Sequence, residues 1–288
     1  MDTRKYEALL YAVELGSFSA AAEKMDYTPA GISHMVEAVE QDLGLVLLHR
    51  GPNGVSLNEN GLELLPQIRS IVHEAQLLKS KAADINGIVS GTVTVGAYFS
   101  IATHWLPDII RDFSAAYPGV SIQIREGGHQ MQMQWLKEAA IDFAMCSFDQ
   151  ASPYRWIPLQ DDPMVIVVPA AHPLASHRSL SLKECSEAPF VMPAFGDDYD
   201  VNQAVSDSGV RLKIKYSTVE NYSAIAMVES GLGISLMNRL ITQGLDRKVV
   251  CVPLDPPASV PLGILMPHGA LSPAAARMVS FIQEKLKA

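Results

Sequence analysis

The sequence predicts a multidomain α+β protein, in which a helical start and a long helix precede an α/β portion. Three observations predict this fold class. Residues 18–37 have the pattern of two helices joined by a turn, and apolar residues recur at three- and four-residue steps from Leu64 to Ala82. From Thr92 onward, short apolar runs alternate with helical stretches. At 288 residues, 48% of them hydrophobic, the chain can bury more than one core.

The first helical pair is the segment FSAAAEKMDYTPAGISHMVE, residues 18–37. Its alanine run, 20–22, permits close packing of the first helix, and Met25, Ile32 and Val36 fill the space between the two helices. Thr28 stands where a helix N-cap belongs, and Pro29 follows at the first helical position. The positive end of the second helix would then point outward, where a phosphate or a base edge could meet it. An ordinary helical hairpin in a bundle fits the same twenty residues.

A family resemblance extends this pattern. The pieces LGSFSAAAEKM, GISHMVEAVEQDLGLVLLHR and GVSLNENGLELLP lie in order between Tyr6 and Pro66. This stretch resembles the amino-terminal domain of LysR-type transcriptional regulators, with mild departures at Val39, Leu48 and Asn58. The resemblance implies a winged helix-turn-helix over residues 1–58, followed by a long linker helix, and a sequence-specific DNA-binding function. Double-stranded DNA is therefore an expected partner.

The resemblance also indicates which side chains approach DNA. The start and exposed face of the second helix would enter the major groove, and the wing would contact phosphate or the minor groove. In chain order these residues are Thr28, Pro29, Ser33, His34, Arg50 and Asn53.

Net charge sets a condition on this interpretation. The whole chain carries −9, and residues 1–58 hold four basic against eight acidic residues. Because phosphate neutralisation supplies most non-specific affinity, one such domain should bind duplex weakly. We therefore expect several linked copies, with Arg50 and His34 facing DNA and the acids lying on the opposite face.

Residues 59–90 form the predicted linker. The apolar stripe there packs either on the core of its own domain or on a partner helix, and the resemblance favours an antiparallel dimerisation helix. The chain would then be a homodimer, or a tetramer of two dimers. The segment INGIVSG, residues 85–91, loses periodicity and gains glycine, which indicates a hinge.

The remaining residues, 91–288, predict an α/β domain with largely parallel sheets. The resemblance implies an effector domain like a periplasmic binding protein, with a small-molecule effector between two lobes. Lobe 1 would hold about 91–160 and 262–288, and lobe 2 about 161–261. Proline clusters place the crossovers near Pro158–Pro163 and Pro253–Pro261.

Ligands of open α/β sheets bind beyond the carboxyl ends of the strands, so residues at those positions are the candidates for the cleft. Ser100 would cap a helix running to Tyr117, and either contact the effector or act as a plain N-cap. The glycines permit close approach to backbone, or form a simple turn, and the phenylalanines line an apolar wall or belong to the core. The full set is Ser100, Gly127, Gly128, Cys146, Ser147, Phe148, Pro193, Phe195, Asn221 and Tyr222.

Other function classes find little support in the sequence. Nucleophile-elbow, zinc-protease, phosphate-loop and CxxC motifs are absent, so we predict no enzyme, no cofactor and no metal site. Cys146, Cys185 and Cys251 fit reduced, buried thiols. We expect neither a signal peptide nor a membrane span, and a cytoplasmic location. A small-molecule capture protein without a DNA function is the alternative.

Overall fold

The structure is a computed structural model that describes residues 3–51, 54–85, 89–193, 199–244 and 248–287. Its first part, the head, contains three helices and a two-stranded hairpin. The head elements are α1 (Arg4–Glu14), α2 (Phe18–Met25), α3 (Pro29–Leu43), β1 (Leu48–Gly51) and β2 (Gly54–Leu57). Small and aliphatic side chains of the three helices, among them Leu9, Ala21 and Ile32, form one core.

The hairpin β1–β2 is the wing expected from the resemblance. Its strands pair antiparallel, from Leu48 opposite Leu57 to Gly51 opposite Gly54. The wing is held to the loop after α1, because Val55 donates a backbone hydrogen bond to the carbonyl of Gly16 over 2.9 Å. Gly54 has a φ of +101°, and a Cβ there would lie 2.3 Å from that same carbonyl, so only glycine fits.

A single long helix, α4 (Glu59–Ile85), leads away from the wing. Asn58 precedes it, and its side-chain oxygen accepts the backbone N–H of Gly61 over 2.9 Å, as a capping residue does. The first half of α4 packs on the head through Leu64, Ile68, Ile71 and Val72.

The α/β portion starts at Gly91. Its helices and strands alternate as the apolar runs predict. They are β3 (Gly91–Ala97), α5 (Phe99–His104), α6 (Leu106–Ala116), β4 (Val120–Glu126), α7 (His129–Lys137), β5 (Phe143–Ser147), β6 (Arg155–Pro169), α8 (Leu182–Cys185), β7 (Pro189–Met192), α9 (Tyr199–Ser208), β8 (Lys213–Ser217), α10 (Asn221–Glu229), β9 (Ser235–Asn238), β10 (Val249–Pro253), β11 (Ser259–Met266) and α11 (Pro273–Lys287).

The sheets are mixed, so the prediction of largely parallel sheets is wrong. The main sheet has the order β10-β6-β11-β5-β3-β4, with β9 also pairing β6, and β7 pairs β8 separately. Strand β3 pairs β4 and β5 in parallel, and β7–β8 is parallel. The pairs that involve β6 and β11 are antiparallel, because these two strands carry the chain between the halves of the domain in opposite directions.

Strand β6 belongs to both halves. Its first part, Arg155–Pro163, pairs with β11, and its remainder pairs with β9 and β10. Pairing partners therefore change between Pro163 and Met164, within the proline-punctuated stretch that suggested a crossover. The return connection lies between β10 and β11, at residues 254–258.

Three local expectations need correction. The helix after β3 breaks at Trp105, because Pro107 has no N–H to offer the carbonyl of Thr103. Ser100 is not its N-cap: Tyr98 holds that position, and Ser100 is the buried second residue of α5. Cys146 and Cys185 are buried, but Cys251 is exposed, since it points outward from edge strand β10.

Candidate functional site

The head presents the start of α3 to solvent. Thr28 caps the helix, its hydroxyl accepting the backbone N–H of Gly31 over 3.1 Å, and Pro29 occupies the first turn, as predicted. Thr28, Pro29 and His34 are exposed, and Ser33 is half-buried beside them. The helix therefore offers a positive dipole end flanked by hydroxyl and imidazole groups.

The wing arginine is held by acids of α3. Arg50 pairs with Glu37 at 3.2 Å and with Glu40 at 2.8 Å, and its guanidinium lies 5.4 Å from the ring centre of Phe18. Ser33 donates to Glu37 over 3.0 Å. Hydrogen bonds from Ser33 and Arg50 lower the pKa of Glu37.

This network corrects the expectation that the acids lie on the opposite face. Glu37 lies one turn from Ser33, within the surface expected to meet DNA. The sequence analysis missed Glu37 and Glu40 as partners of Arg50, although the acidic charge count was the available signal. Asn53, the other wing candidate, lies outside the described residues.

The second half of α4 exposes a row of aliphatic side chains. Leu64, Ile71, Leu78 and Ile85 follow one another every seven residues and so share one face of the helix. The first two pack partly on the head, whereas Leu78 is 71% exposed and Ile85 is 86% exposed. This part of the stripe has no apolar cover within the described chain.

Polar side chains meet at the carboxyl ends of β3 and β5. The hydroxyls of Tyr98 and Ser147 are 2.8 Å apart, and the Tyr98 hydroxyl lies 3.4 Å from Nδ1 of His129. The other ring nitrogen of His129 lies 3.3 Å from Asp149. Four groups from three strand-end positions thus form one connected network, as expected where ligands bind α/β sheets.

Residues from the other half of the domain complete this cleft. Tyr199, the first residue of α9, stacks on His129 with ring centres 4.6 Å apart. Burial, together with the charges of Asp149 and Asp200, raises the pKa of Tyr199. Tyr222 in α10 contacts Phe99 in α5 edge to face, at 5.0 Å. Two aromatic pairs therefore join the halves across the cleft.

Only some of the predicted cleft residues lie in the cleft. Ser147 and Tyr222 belong to the networks above, and Asn221 begins α10 with its side-chain oxygen buried and without a partner in the described chain. Cys146 points to the opposite face of β5, where it packs with Leu136 and Leu265, and burial raises the pKa of its thiol.

The other predicted positions have structural roles or lie outside the described residues. A Cβ on Gly127 would lie 2.7 Å from the ring of Trp135, whereas Gly128 has open space and precedes α7 as its N-cap. Phe148 is partly exposed against Trp156, and Pro193 is buried just after β7. Phe195 lies outside the described residues.

His129, Asp149 and Tyr199 were missed from the sequence. His129 and Asp149 each follow a predicted strand-end residue directly, and that position was the signal that could have found them. Across the described ranges, neither a cluster of His, Cys, Asp and Glu side chains able to hold a metal ion nor a helix able to cross a membrane is found.

The fold, the exposed start of α3 and the polar cleft define a helix-turn-helix protein with an attached α/β ligand-binding domain. Residues 3–62 match the family described as bacterial regulatory helix-turn-helix protein, lysR family. Residues 86–287 match the LysR substrate binding domain. The chain therefore belongs to the LysR family of transcriptional regulators.

Relatives agree with this assignment, and solved structures share the fold. The probable HTH-type transcriptional regulator LrrA of Synechococcus elongatus is 29% identical over 280 residues, 94% of this chain and 92% of the relative. A full-length OxyR variant from Pseudomonas aeruginosa has a TM-score of 0.78 at 19% identity, covering 100% of this chain and 95% of its own. Full-length CbnR, solved in complex with its target DNA, has a TM-score of 0.69 at 18% identity, covering 99% of each chain.

Proposed function

We propose that this protein binds DNA as a homodimer and that a small-molecule effector in the cleft changes the angle between its two heads. The proposed division is a DNA-binding head at 1–58, a dimerisation helix and hinge at 59–90, and an effector domain at 91–288. Lobe 1 would comprise about 91–160 and 262–288, and lobe 2 about 161–261. The observation that carries the proposal is the exposed, capped start of α3 beside a wing, on a chain of the LysR family.

DNA contact is assigned to α3 and the wing. Thr28, Pro29, Ser33 and His34 would approach the major groove, because the amino end of a recognition helix is the part that reaches base edges. Arg50 would contact phosphate after exchanging its bond to Glu37 for one to the duplex. The acidic head binds weakly alone, so pairing through α4 supplies the second contact that raises affinity.

The effector site is assigned to the cleft between the lobes. Tyr98, His129, Ser147 and Asp149 supply polar groups from one side, and Tyr199 and Tyr222 supply aromatic surface from the other. A ligand that enters must replace or extend the contacts between the halves. It changes their arrangement only by binding one arrangement more tightly than the other.

This role requires no catalytic step, so we propose a regulator and not an enzyme. The alternative, a capture protein without a DNA function, gives no role to the helix-turn-helix of residues 3–62.

One two-part experiment tests the proposal. Purified full-length protein is used to select genomic DNA fragments at two salt concentrations, and the selected fragment is then used in a thermal-shift screen of metabolites. We expect a recurring two-fold symmetric sequence whose binding weakens at higher salt, and a metabolite that raises the unfolding temperature. A strictly monomeric protein that binds no duplex in dilute buffer would overturn the proposal.

A further inference from the structure

A cavity of about 380 Å³ lies where the head, α4 and the effector domain meet. Tyr11 of α1 contributes one wall, His73 and Gln76 of α4 a second, and Thr94 of β3 with Gln123 of β4 a third. None of the residues predicted to contact the effector lines it. Its size is within the range of sites that bind small organic molecules.

Asp142 is the chemically distinctive residue of this cavity. It is only 9% exposed and directly precedes β5. Its backbone N–H donates to the carbonyl of Thr94 over 2.8 Å, and its Oδ2 accepts the backbone N–H of Thr94 over 2.7 Å. These reciprocal bonds fix the carboxylate in place.

The second carboxylate oxygen, Oδ1, accepts no hydrogen bond within the described part of the chain. No lysine or arginine of that part forms an ion pair with Asp142 either. Burial raises the pKa of Asp142, and the hydrogen bond from Thr94 and the charge of His73 oppose the rise. Oδ1 reaches the open space of the cavity, where a donor brought by a ligand would form a hydrogen bond to a charged acceptor, the stronger kind.

The rest of the lining suits a polar ligand. Hydroxyl groups come from Thr92 and Ser272, and side-chain amides from Gln76 and Gln123. The other charged group of the lining, Lys79, is exposed on α4 and can extend into solvent. His73 faces the same space from α4.

We propose that this cavity binds a small organic cation, a primary amine or an amidine, whose N–H groups donate to Oδ1 of Asp142. The site is separate from the effector cleft. Since its walls come from the head, the linker helix and lobe 1 together, an occupant contacts all three parts. If the occupant binds more tightly when the head is in one position, its binding changes the affinity of the protein for DNA.

The test is a fluorine NMR titration of full-length protein with 4-fluorobenzylamine at pH 8 and low salt. The neutral 4-fluorobenzyl alcohol and the anionic 4-fluorobenzoate are titrated in parallel. We expect the amine to bind about tenfold more tightly than the alcohol, because a hydrogen bond to a charged group is the stronger one. Asp142→Asn should lower amine affinity about tenfold and leave alcohol affinity unchanged, since asparagine still accepts from Thr94.

Two further variants locate the site. Gln123→Trp places bulk in the cavity from an exposed strand position and should abolish amine binding even if Asp142→Asn folds poorly. Asp149→Asn removes an acid of the effector cleft and should leave amine binding unchanged. The proposal is overturned if the amine shows no binding at 10 mM, about ten thousand times a micromolar dissociation constant. It is also overturned if amine and alcohol bind equally, or if Asp149→Asn and not Asp142→Asn removes binding.

Discussion

Arg50 and Glu40 form an ion pair of 2.8 Å that joins the wing to α3. The other oxygen of the same carboxylate accepts the backbone N–H groups of Leu47, at 2.8 Å, and Leu48, at 3.3 Å. Glu40 therefore fixes both the start of the wing and the direction of its arginine. Glu37 takes a second guanidinium nitrogen at 3.2 Å, so the basic group is neutralised within the head.

Removing the charge of Glu37 should strengthen DNA binding. Glu37→Gln eliminates an exposed negative charge beside the expected phosphate contacts. It leaves Arg50 paired with Glu40 alone, so the other guanidinium nitrogen can bond a DNA phosphate. We expect affinity to rise by up to about tenfold at low salt, and the salt dependence to steepen by about one released ion. Fluorescence anisotropy with a labelled operator at several potassium chloride concentrations measures both. Glu284→Gln, an equal charge change on exposed α11, should have no effect.

Replacing His34 should change base preference more than overall affinity. His34 is exposed on the second turn of α3, where side chains reach base edges. His34→Ala should lose about 1–3 kcal/mol on the preferred operator and less on sequences altered at the contacted base pair. Binding to a panel of single-base operator variants measures this. An equal loss on every sequence contradicts the role.

The exposed stripe of α4 gives a prediction about assembly. Leu78→Glu puts a charge on the face that we assign to the dimer contact and should yield monomers, because burying an unpaired charge is costly. Leu62→Glu is the matched control: Leu62 is 60% exposed on the same helix but about 160° away around its axis. Light scattering after size exclusion measures the mass. If both variants were dimers, this face would not be the dimer contact.

Ala139 offers a test of backbone strain. It has a φ of +49° just after α7. Its N–H donates to the carbonyl of Leu136, and the N–H of Ala140 donates to the carbonyl of Trp135. Glycine occupies this left-handed position without a clash, so Ala139→Gly should stabilise the fold by about 1 kcal/mol. Ala115→Gly, at an exposed position in the last turn of α6, should destabilise it by less than about 1 kcal/mol. Urea unfolding of both variants distinguishes the two signs.

Burial of Asp142 predicts a pH dependence of stability. Its folded pKa is raised above the ordinary 3.8, so the folded state holds a proton more tightly than the unfolded state does. Its contribution to stability is then largest below pH 3.8 and declines as pH rises through the folded pKa. Asp142→Asn should remove this decline, so the variant gains stability relative to the parent as pH rises. Urea unfolding at several pH values measures the difference; parallel curves contradict it.

Local features were predictable from the sequence. The cap at Thr28 depends on a few adjacent residues, and the alternation of strands and helices after Gly91 depends on short apolar runs. Pro158 and Pro163 resemble strand breakers, so the sequence predicts a crossover where the structure has the single strand β6. Pro158 is tolerated because it lies at a register shift opposite Gly263, and Pro163 because pairing with β11 ends there.

The candidate cleft was predictable only in outline. Strand ends indicated Ser147, yet the contact of His129 with Tyr199 joins residues seventy positions apart, which no local pattern encodes. The pairing of Arg50 with Glu37 likewise depends on how the wing folds back onto α3. Long-range contacts of this kind follow from tertiary packing.

The fifteen residues of β6 also limit how the effector domain can move. One uninterrupted strand is shared by both halves, and its backbone is hydrogen-bonded to β11 on one side of Pro163 and to β9 and β10 on the other. Strand β6 therefore connects the halves as a hydrogen-bonded strand and not as a flexible loop. A relative rotation of the halves would have to twist this strand, and its displacement would grow with distance from Pro163.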